Sequence, residues 1–474
     1  MLSLKSIFIF TIIIYTNLIL ITSVPTEDLV KNLPNFPYQK DIYSGYLDTS
    51  KPERKLHYVF VPSQSDIVKD PLVVWFNGGP GCSSLEGFIS EHGPAVFNDF
   101  ETTIKLNEFS WNKNANMLYI ESPAGVGFSY TTLGKQDYAS DDEKSAVDNL
   151  QALLSFRKKF PEYESNDFYI SGESYAGIYV PHLATKVLED TTFKSFKGII
   201  IGNGVTDWNY EVEKSLLDFA YGHYLITEDM VKDYYKNCVL STSSFLQNFK
   251  VPINCINAKK RVKASLEGLN IYDVFRICPK DTLNEFSDSK NTSSMASTIN
   301  LLKKVSSLQK QKAYGEFYNE FADPLDVSMW PSSCKDNTAI DDYLNTDAVK
   351  DALHVKKDIK WAVCNPEVSD SYNIDLKGSF YLYANIIKNG IKILFFTGDS
   401  DAAVPFTGSI KWINNLKLPI KTPYASWMIN NQVVGFTQEY EGLTFTTIKG
   451  TGHMSPAWKR EECFTMFNNF IKNK

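Results

Sequence analysis

The sequence predicts an α/β fold, with a mostly parallel central sheet, helices on both faces and an inserted cap region. Three observations carry this. Short apolar runs without polar alternation recur along the chain, as expected of strands buried on both faces. Stretches with helical spacing separate several of them. Four of the runs, ending near Phe76, Ile170, Phe396 and Ile448, stop at glycine-containing turns that hold polar residues. With 474 residues, 43% hydrophobic and 22% charged, the chain is globular and long enough for a large core.

Residues 1–23 place Lys5 before an apolar run, Ile7 to Ile21, that ends at Thr22-Ser23. This is the grammar of a signal peptide, and the run is short for a bilayer span, which needs ~20 apolar residues. Its removal takes Lys5 and no acid, so the formal charge goes from -7 to -8. No stable membrane span is expected after removal. The acidic balance and the lack of a long basic run argue against a nucleic-acid partner.

Residues 24–207 read as the first part of the core. After a polar lead-in, Ile42 to Leu47 and Leu56 to Val61 form a hairpin, and Pro71 to Phe76 is a buried strand. It stops at Asn77-Gly78-Gly79-Pro80-Gly81-Cys82-Ser83-Ser84, a loop whose backbone amides can approach a ligand closely. Met117 to Glu121 is the next strand. Asp141 to Phe160 has helical spacing at Ala146, Leu150, Leu153, Leu154 and Phe156, with acids in its first turn. Phe168 to Ile170 is a strand and Ile178 to Glu189 a helix, and Phe196 to Ile201 closes the segment as a strand.

Residues 208–340 read as a cap insertion, where Lys, Ser and Asn rise and strand patterns fade. Within it Ser287 to Lys312 is expected to be a mobile, protease-accessible loop. Asn291-Thr292-Ser293 gives a glycosylation acceptor at Asn291. Residues 341–474 resume the core, with helices at Ala348 to His354 and Ser379 to Asn389. Strands follow at Ile391 to Phe396 and Thr444 to Ile448, and a last helix runs from about Trp458 to Ile471.

The chemistry centres on Gly172-Glu173-Ser174-Tyr175-Ala176-Gly177, between a buried strand and a helix. Such a turn holds a serine hydroxyl out at the strand end, and the helix N-terminus supplies amide donors for an oxyanion. Asp399 and His453 also sit just past buried strands. In a parallel sheet these ends share one edge, where open α/β sheets place their ligand crevice. The chain order Ser, Asp, His is that of the α/β-hydrolases. His453 would move the Ser174 proton and Asp399 would orient the imidazole. Asp401 competes with Asp399 for the acid role; Asp399 is preferred because it comes first after the strand. The seven cysteines include no CxxC pair, so zinc is poorly supported, and no metal or cofactor is called for.

Taken together, these segments resemble the serine carboxypeptidases, the family of the cathepsin A type and the plant and yeast vacuolar enzymes. The likeness rests on Trp75 to Ser84, Glu121 to Tyr130, Gly172 to Gly177, Gly398-Asp399 with Val404-Pro405, and Gly452-His453-Met454. It implies an oxyanion hole from the amides of Gly79 and Tyr175. It also implies that Asn77, the Gly78 amide, Glu173 and Glu91 hold the substrate's terminal carboxylate. Two close carboxyls cannot both ionise cheaply, so one is expected to stay protonated and donate to that carboxylate, giving an acidic optimum. The family pattern pairs Cys82 with Cys364, Cys238 with Cys255 and Cys278 with Cys334, and leaves Cys463 free. His92 and the run Ser455-Pro456-Ala457-Trp458 depart from the usual pattern.

The expectation is therefore a serine-type carboxypeptidase acting on peptide and protein C-termini through an acyl-enzyme, in a lysosome, a vacuole or outside the cell. A homodimer is compatible with it. An acyltransferase or esterase on the same scaffold is the nearest rival, and a catalytically idle protective or binding partner the rival from another class.

Overall fold

The computed structural model describes residues 25–211, 213–238, 253–278 and 336–472. The signal-peptide stretch, the Ser287 to Lys312 loop, Asn291 and Cys334 lie outside them.

Thirteen strands are described. In chain order they are β1 (Tyr43–Asp48), β2 (Arg54–Val61), β3 (Leu72–Phe76), β4 (Ala95–Phe97), β5 (Ile104–Leu106), β6 (Asn116–Ile120) and β7 (Tyr130–Thr131). They continue with β8 (Phe168–Glu173), β9 (Phe196–Gly202), β10 (Lys392–Gly398), β11 (Ile420–Ile429), β12 (Gln432–Tyr440) and β13 (Leu443–Ile448). The main sheet runs β1-β2-β6-β3-β8-β9-β10-β13-β12-β11, with β7 on β2, and β4 pairs with β5 separately. From β6 to β13 every pairing is parallel, while both flanks are antiparallel. The C-terminal ends of β3, β8, β10 and β13 therefore lie on one edge of the sheet.

The central strands are apolar throughout because both of their faces are covered. Val74 and Phe76 of β3 enter one core cluster with α1 (Asp142–Lys159) and α2 (Ala176–Glu189). Val73 and Trp75 enter the opposite cluster with Cys463, Met466 and Phe467. The same alternation divides Ile393 and Phe395 from Leu394 and Phe396 on β10. The α1 helix starts where Asp141 accepts from the Lys144 amide at 2.7 Å, carries Asp142 and Glu143 in its first turn, and ends on Arg157, Lys158 and Lys159. Both ends thus complement the helix dipole.

After β9 come the helices α3 (Glu213–Gly222), α4 (Glu228–Cys238) and α5 (Ile253–Leu266). The Cys238–Cys255 disulfide joins α4 to α5. The core then resumes with α6 (Thr338–Leu344), α7 (Asp347–Ala352), α8 (Pro366–Ser371) and α9 (Phe380–Lys388). After β10 comes α10 (Phe406–Asn415), tied back to α3 by the Lys411–Asp218 ion pair. Two short steps, α11 (Ser455–Trp458) and α12 (Arg460–Ile471), end the described chain. The β11–β12 hairpin, which the sequence reading did not contain, extends the sheet edge. Its turn residues Asn430 and Asn431 have φ of 50° and 62°, the positive values that tight hairpin turns need.

Candidate active site

Ser174 stands where β8 hands over to α2. Its φ of 63° is unusual for a residue with a side chain and marks the strained elbow. The turn is held from below, because the Ser174 carbonyl accepts from Gly177 at 2.9 Å and Val205 at 3.0 Å. The loop after β3 lies directly against it. A methyl group on Gly78 would come within 2.4 Å of the Tyr175 amide nitrogen and 2.8 Å of Ser174 Cβ, so only glycine permits this approach. Gly79 follows with a φ of 110°. The Tyr175 ring is anchored away from the loop, its hydroxyl donating to Asp142 Oδ1 at 2.8 Å.

His453 and an aspartate are in contact, and the aspartate is Asp401. His453 Nδ1 lies 2.8 Å from Asp401 Oδ2, and both side chains are buried. The remaining lone pairs of Asp401 are filled by Asn203 Nδ2 at 2.8 Å and by the amides of Ala403 and Val404 at 2.7 and 3.2 Å. The expectation of Asp399 is therefore corrected. The Asp399 carboxylate turns back to accept from the Gly450 amide at 2.7 Å, and its backbone amide donates to Ile448. Burial holds the Asp399 carboxyl above its usual range. The first acid past the strand fixes the neighbouring turn, and the second, one turn deeper, reaches the imidazole. Asn203, which the sequence reading did not single out, also accepts from the Gly398 amide at 3.1 Å and so ties the β9 and β10 ends to the acid.

Beside the elbow, Asn77, Glu91 and Glu173 form one buried cluster. Asn77 Nδ2 donates to Glu91 Oε1 at 3.1 Å and to Glu173 Oε1 at 3.0 Å. Its carbonyl accepts from the Trp75 indole at 2.7 Å and from the Gly87 amide at 3.1 Å, which fixes the amide orientation. Gly87–Glu91 is a π-helical turn, and the wider spiral brings Gly87 and Glu91 to bear on the same Asn77 side chain. Glu91 Oε2 and Glu173 Oε2 are buried without a hydrogen-bond partner, while Asn77 Nδ2 bridges the other oxygens of the two carboxyls. Two carboxyls buried side by side are costly to ionise together. Burial raises Glu91 to about 7. Burial, and then the charge of Glu91, pushes Glu173 well above the usual carboxyl range.

Of the two departures, His92 is a core residue. It stacks on Trp111 at 4.1 Å, meets the Trp75 ring edge-on at 4.3 Å, and is driven toward its neutral form by burial. Ser455 to Trp458 form α11, whose Ser455 hydroxyl donates to the Gly452 carbonyl at 2.8 Å. The Cys82–Cys364 and Cys238–Cys255 disulfides are present. Cys278 is disulfide-bonded, and the partner expected for it, Cys334, is outside the described residues. Cys463 is free and buried in α12. Among the described residues no cluster suits a metal ion, and no helix is long and apolar enough to cross a membrane.

The arrangement defines a hydrolase of the α/β class, with a serine, a histidine–aspartate pair and a loop of close backbone amides at one sheet edge. The chain belongs to the serine carboxypeptidase family, whose model matches residues 34–473. It is 35% identical to serine carboxypeptidase-like 21 of Arabidopsis thaliana, covering 95% of this chain and 94% of that one. It is 33% identical to the lysosomal protective protein of Mus musculus, again over 95% and 94% of the two chains. Among solved structures it is similar to a prohormone-processing carboxypeptidase from Saccharomyces cerevisiae, with a TM-score of 0.68, 22% identity and 95% of each chain covered. At that identity the structural likeness speaks for the fold.

Proposed function

We propose that this chain removes C-terminal residues from peptides and proteins through an acyl-enzyme on Ser174. The observation that carries the reading is the buried cluster beside the Ser174 elbow in which Asn77 Nδ2 bridges Glu91 and Glu173. An ionised pair would repel a terminal carboxylate. A pair that keeps a proton presents a donor to it, together with Asn77 Nδ2 and the Gly78 amide, and so sets the scissile bond one residue from the chain end.

In this reading the steps are as follows. Ser174 Oγ attacks the scissile carbonyl as His453 Nε2 takes its proton, and the oxyanion rests on the amides of Gly79 and Tyr175. The C–N bond breaks when His453 returns the proton to the leaving amine. Water then attacks the ester, gives its proton to His453, and Ser174 leaves with that proton. Asp401 holds the imidazole tautomer and balances its charge in the transition state.

A signal peptide, disulfides and a carboxyl pair that works protonated all suit an oxidising route to an acidic destination, a lysosome- or vacuole-like compartment or the acidified exterior. The test is release of the C-terminal residue from a blocked dipeptide and from its C-terminal amide, at acidic and at neutral pH. Release favouring the free acid, strongest at acidic pH and lost in Ser174→Ala, is the expected result. Intact ester hydrolysis or transfer to an alcohol, with no peptide release, would move the function to an esterase or acyltransferase. Binding partners retained by an inactive wild type would move it to a protective role.

A further inference from the structure

We propose that the strap Ile271 to Arg276, which follows α5, is a positioning element for the active site, and that Asp273 is its clasp. The inference rests on the histidine–aspartate pair described above but not on the substrate class.

Both loops that carry the pair are tied to this strap. On the histidine side, the His453 amide donates to the Tyr272 carbonyl at 2.7 Å. The Tyr272 ring lies 5.0 Å from the imidazole, tilted by 31°. The contact is close enough that a methyl group on Gly452 would meet the Tyr272 carbonyl at 1.8 Å and Asp273 Cβ at 2.6 Å. On the aspartate side, the Ala402 amide donates to Ile271 at 3.0 Å, and the Val274 amide donates to the Ser400 carbonyl at 3.1 Å. Ser400, fully buried, donates its hydroxyl to Asp273 Oδ1 at 2.8 Å. Asp273 Oδ1 also accepts from the Phe275 amide at 3.1 Å, which folds the strap's own turn.

The far end of the strap is latched separately. Arg276 donates to Asp99 at 2.6 Å and lies over the Trp458 ring at 4.5 Å, and the Trp458 indole donates to the same Asp99 oxygen at 2.8 Å. A single segment thus spans the acid loop, the histidine loop and the α11 end. Loops after parallel strands have no ladder of their own to fix them. Here the strap supplies that missing edge, and Asp273 is its side-chain bond to the acid loop. A catalytic pair held this way loses rate when the clasp opens, because small misplacements of a general base are costly.

The expected result with Asp273→Ala is a fall in kcat of at least about tenfold, with KM within about twofold of wild type. Asp273→Asn keeps an oxygen acceptor for Ser400 and Phe275 and should restore kcat to within about twofold. Ser400→Ala removes the donor from the other side and should reproduce the Asp273→Ala loss, which covers the case in which Asp273→Ala does not fold. Retained kcat in either alanine variant overturns the proposal. So does Asp273→Asn failing like Asp273→Ala while its thermal melt matches wild type. The rate of Ser174 labelling by a fluorophosphonate is measured in parallel. It needs the activated serine but no peptide. A wild type that labels yet releases no C-terminal residue would sink the carboxypeptidase reading alone, and the labelling rates of the variants would still decide the strap.

Discussion

Replacing both members of the carboxyl pair, as Glu91→Gln with Glu173→Gln, should uncouple recognition of the free chain end from pH. In the wild type the pair must hold a proton to donate to a terminal carboxylate. Burial raises Glu91 to about 7, and Glu173 lies well above the usual range. The sign is that of a raised acid, so the binding-competent form prevails at low pH and is lost as pH rises through the pair's apparent pKa. The assay compares kcat/KM for a blocked dipeptide with that for its C-terminal amide. Both substrates need the same serine and histidine, so titration of the triad cancels in the ratio. For wild type the ratio should fall from acidic to alkaline pH, by up to about tenfold for each pH unit above the pair's apparent pKa. The two glutamine amides donate at every pH, so the double variant should give a flat ratio. A wild-type ratio that does not change from acidic to alkaline pH would refute the protonated-pair argument. So would a double variant that keeps the wild-type slope.

Three further outcomes are expected. Asp401→Asn should lower kcat by about 10⁴ with the fold intact, because the asparagine favours the wrong imidazole tautomer; Asp399→Asn should cost about tenfold or less, and equal losses measured by steady-state kinetics would undo the assignment of Asp401. Gly78→Ala should lower kcat by about 10² to 10³, since its methyl group displaces the Tyr175 amide that faces the oxyanion; an active alanine variant would remove that amide from the mechanism. Glu211 is buried, accepts from the Trp412 indole at 2.8 Å, and is raised by that burial to about 8. Its raised value adds stability that is present below the ordinary carboxyl pKa and lost as pH rises through about 8. Glu211→Gln should therefore flatten the decline of Tm between acidic and alkaline pH, and an unchanged slope in a thermal scan would contradict this.

The parts of the fold that were legible from sequence are those with two covered faces. Leu72–Phe76, Phe168 to Ile170 and Ile393 to Phe396 are continuous apolar runs because neither side of the central sheet meets water. The β11–β12 hairpin failed that criterion, since Ile420, Tyr424 and Met428 are exposed and polar residues lie between them. Its one usable signal was the Asn430-Asn431 pair, a residue type tolerant of positive φ. In the site, the turns that carry Ser174 and His453 were legible. The acid was narrowed to Asp399 and Asp401, and distance from the strand was the wrong criterion. Which carboxylate meets the imidazole depends on how the chain bends after Gly398, and that bend is set by Asn203, Gly450 and the strap. Those are long-range contacts, with no local pattern to announce them.

The Cys82–Cys364 bridge bears on when this active site comes into being. It spans 282 residues, and around it Ser83 donates to the Val363 carbonyl at 2.7 Å and Asn365 to the Gly81 carbonyl at 2.9 Å. The Asn77 to Ser84 loop, which lies against the Ser174 elbow, is thus moored to a segment made long after it. Ser174 leaves the ribosome well before its companion loop can be secured, and His453 comes later still. The last covalent tie on this loop thus waits both for Cys364 to be made and for sulfur to be oxidised, a step that reducing conditions oppose.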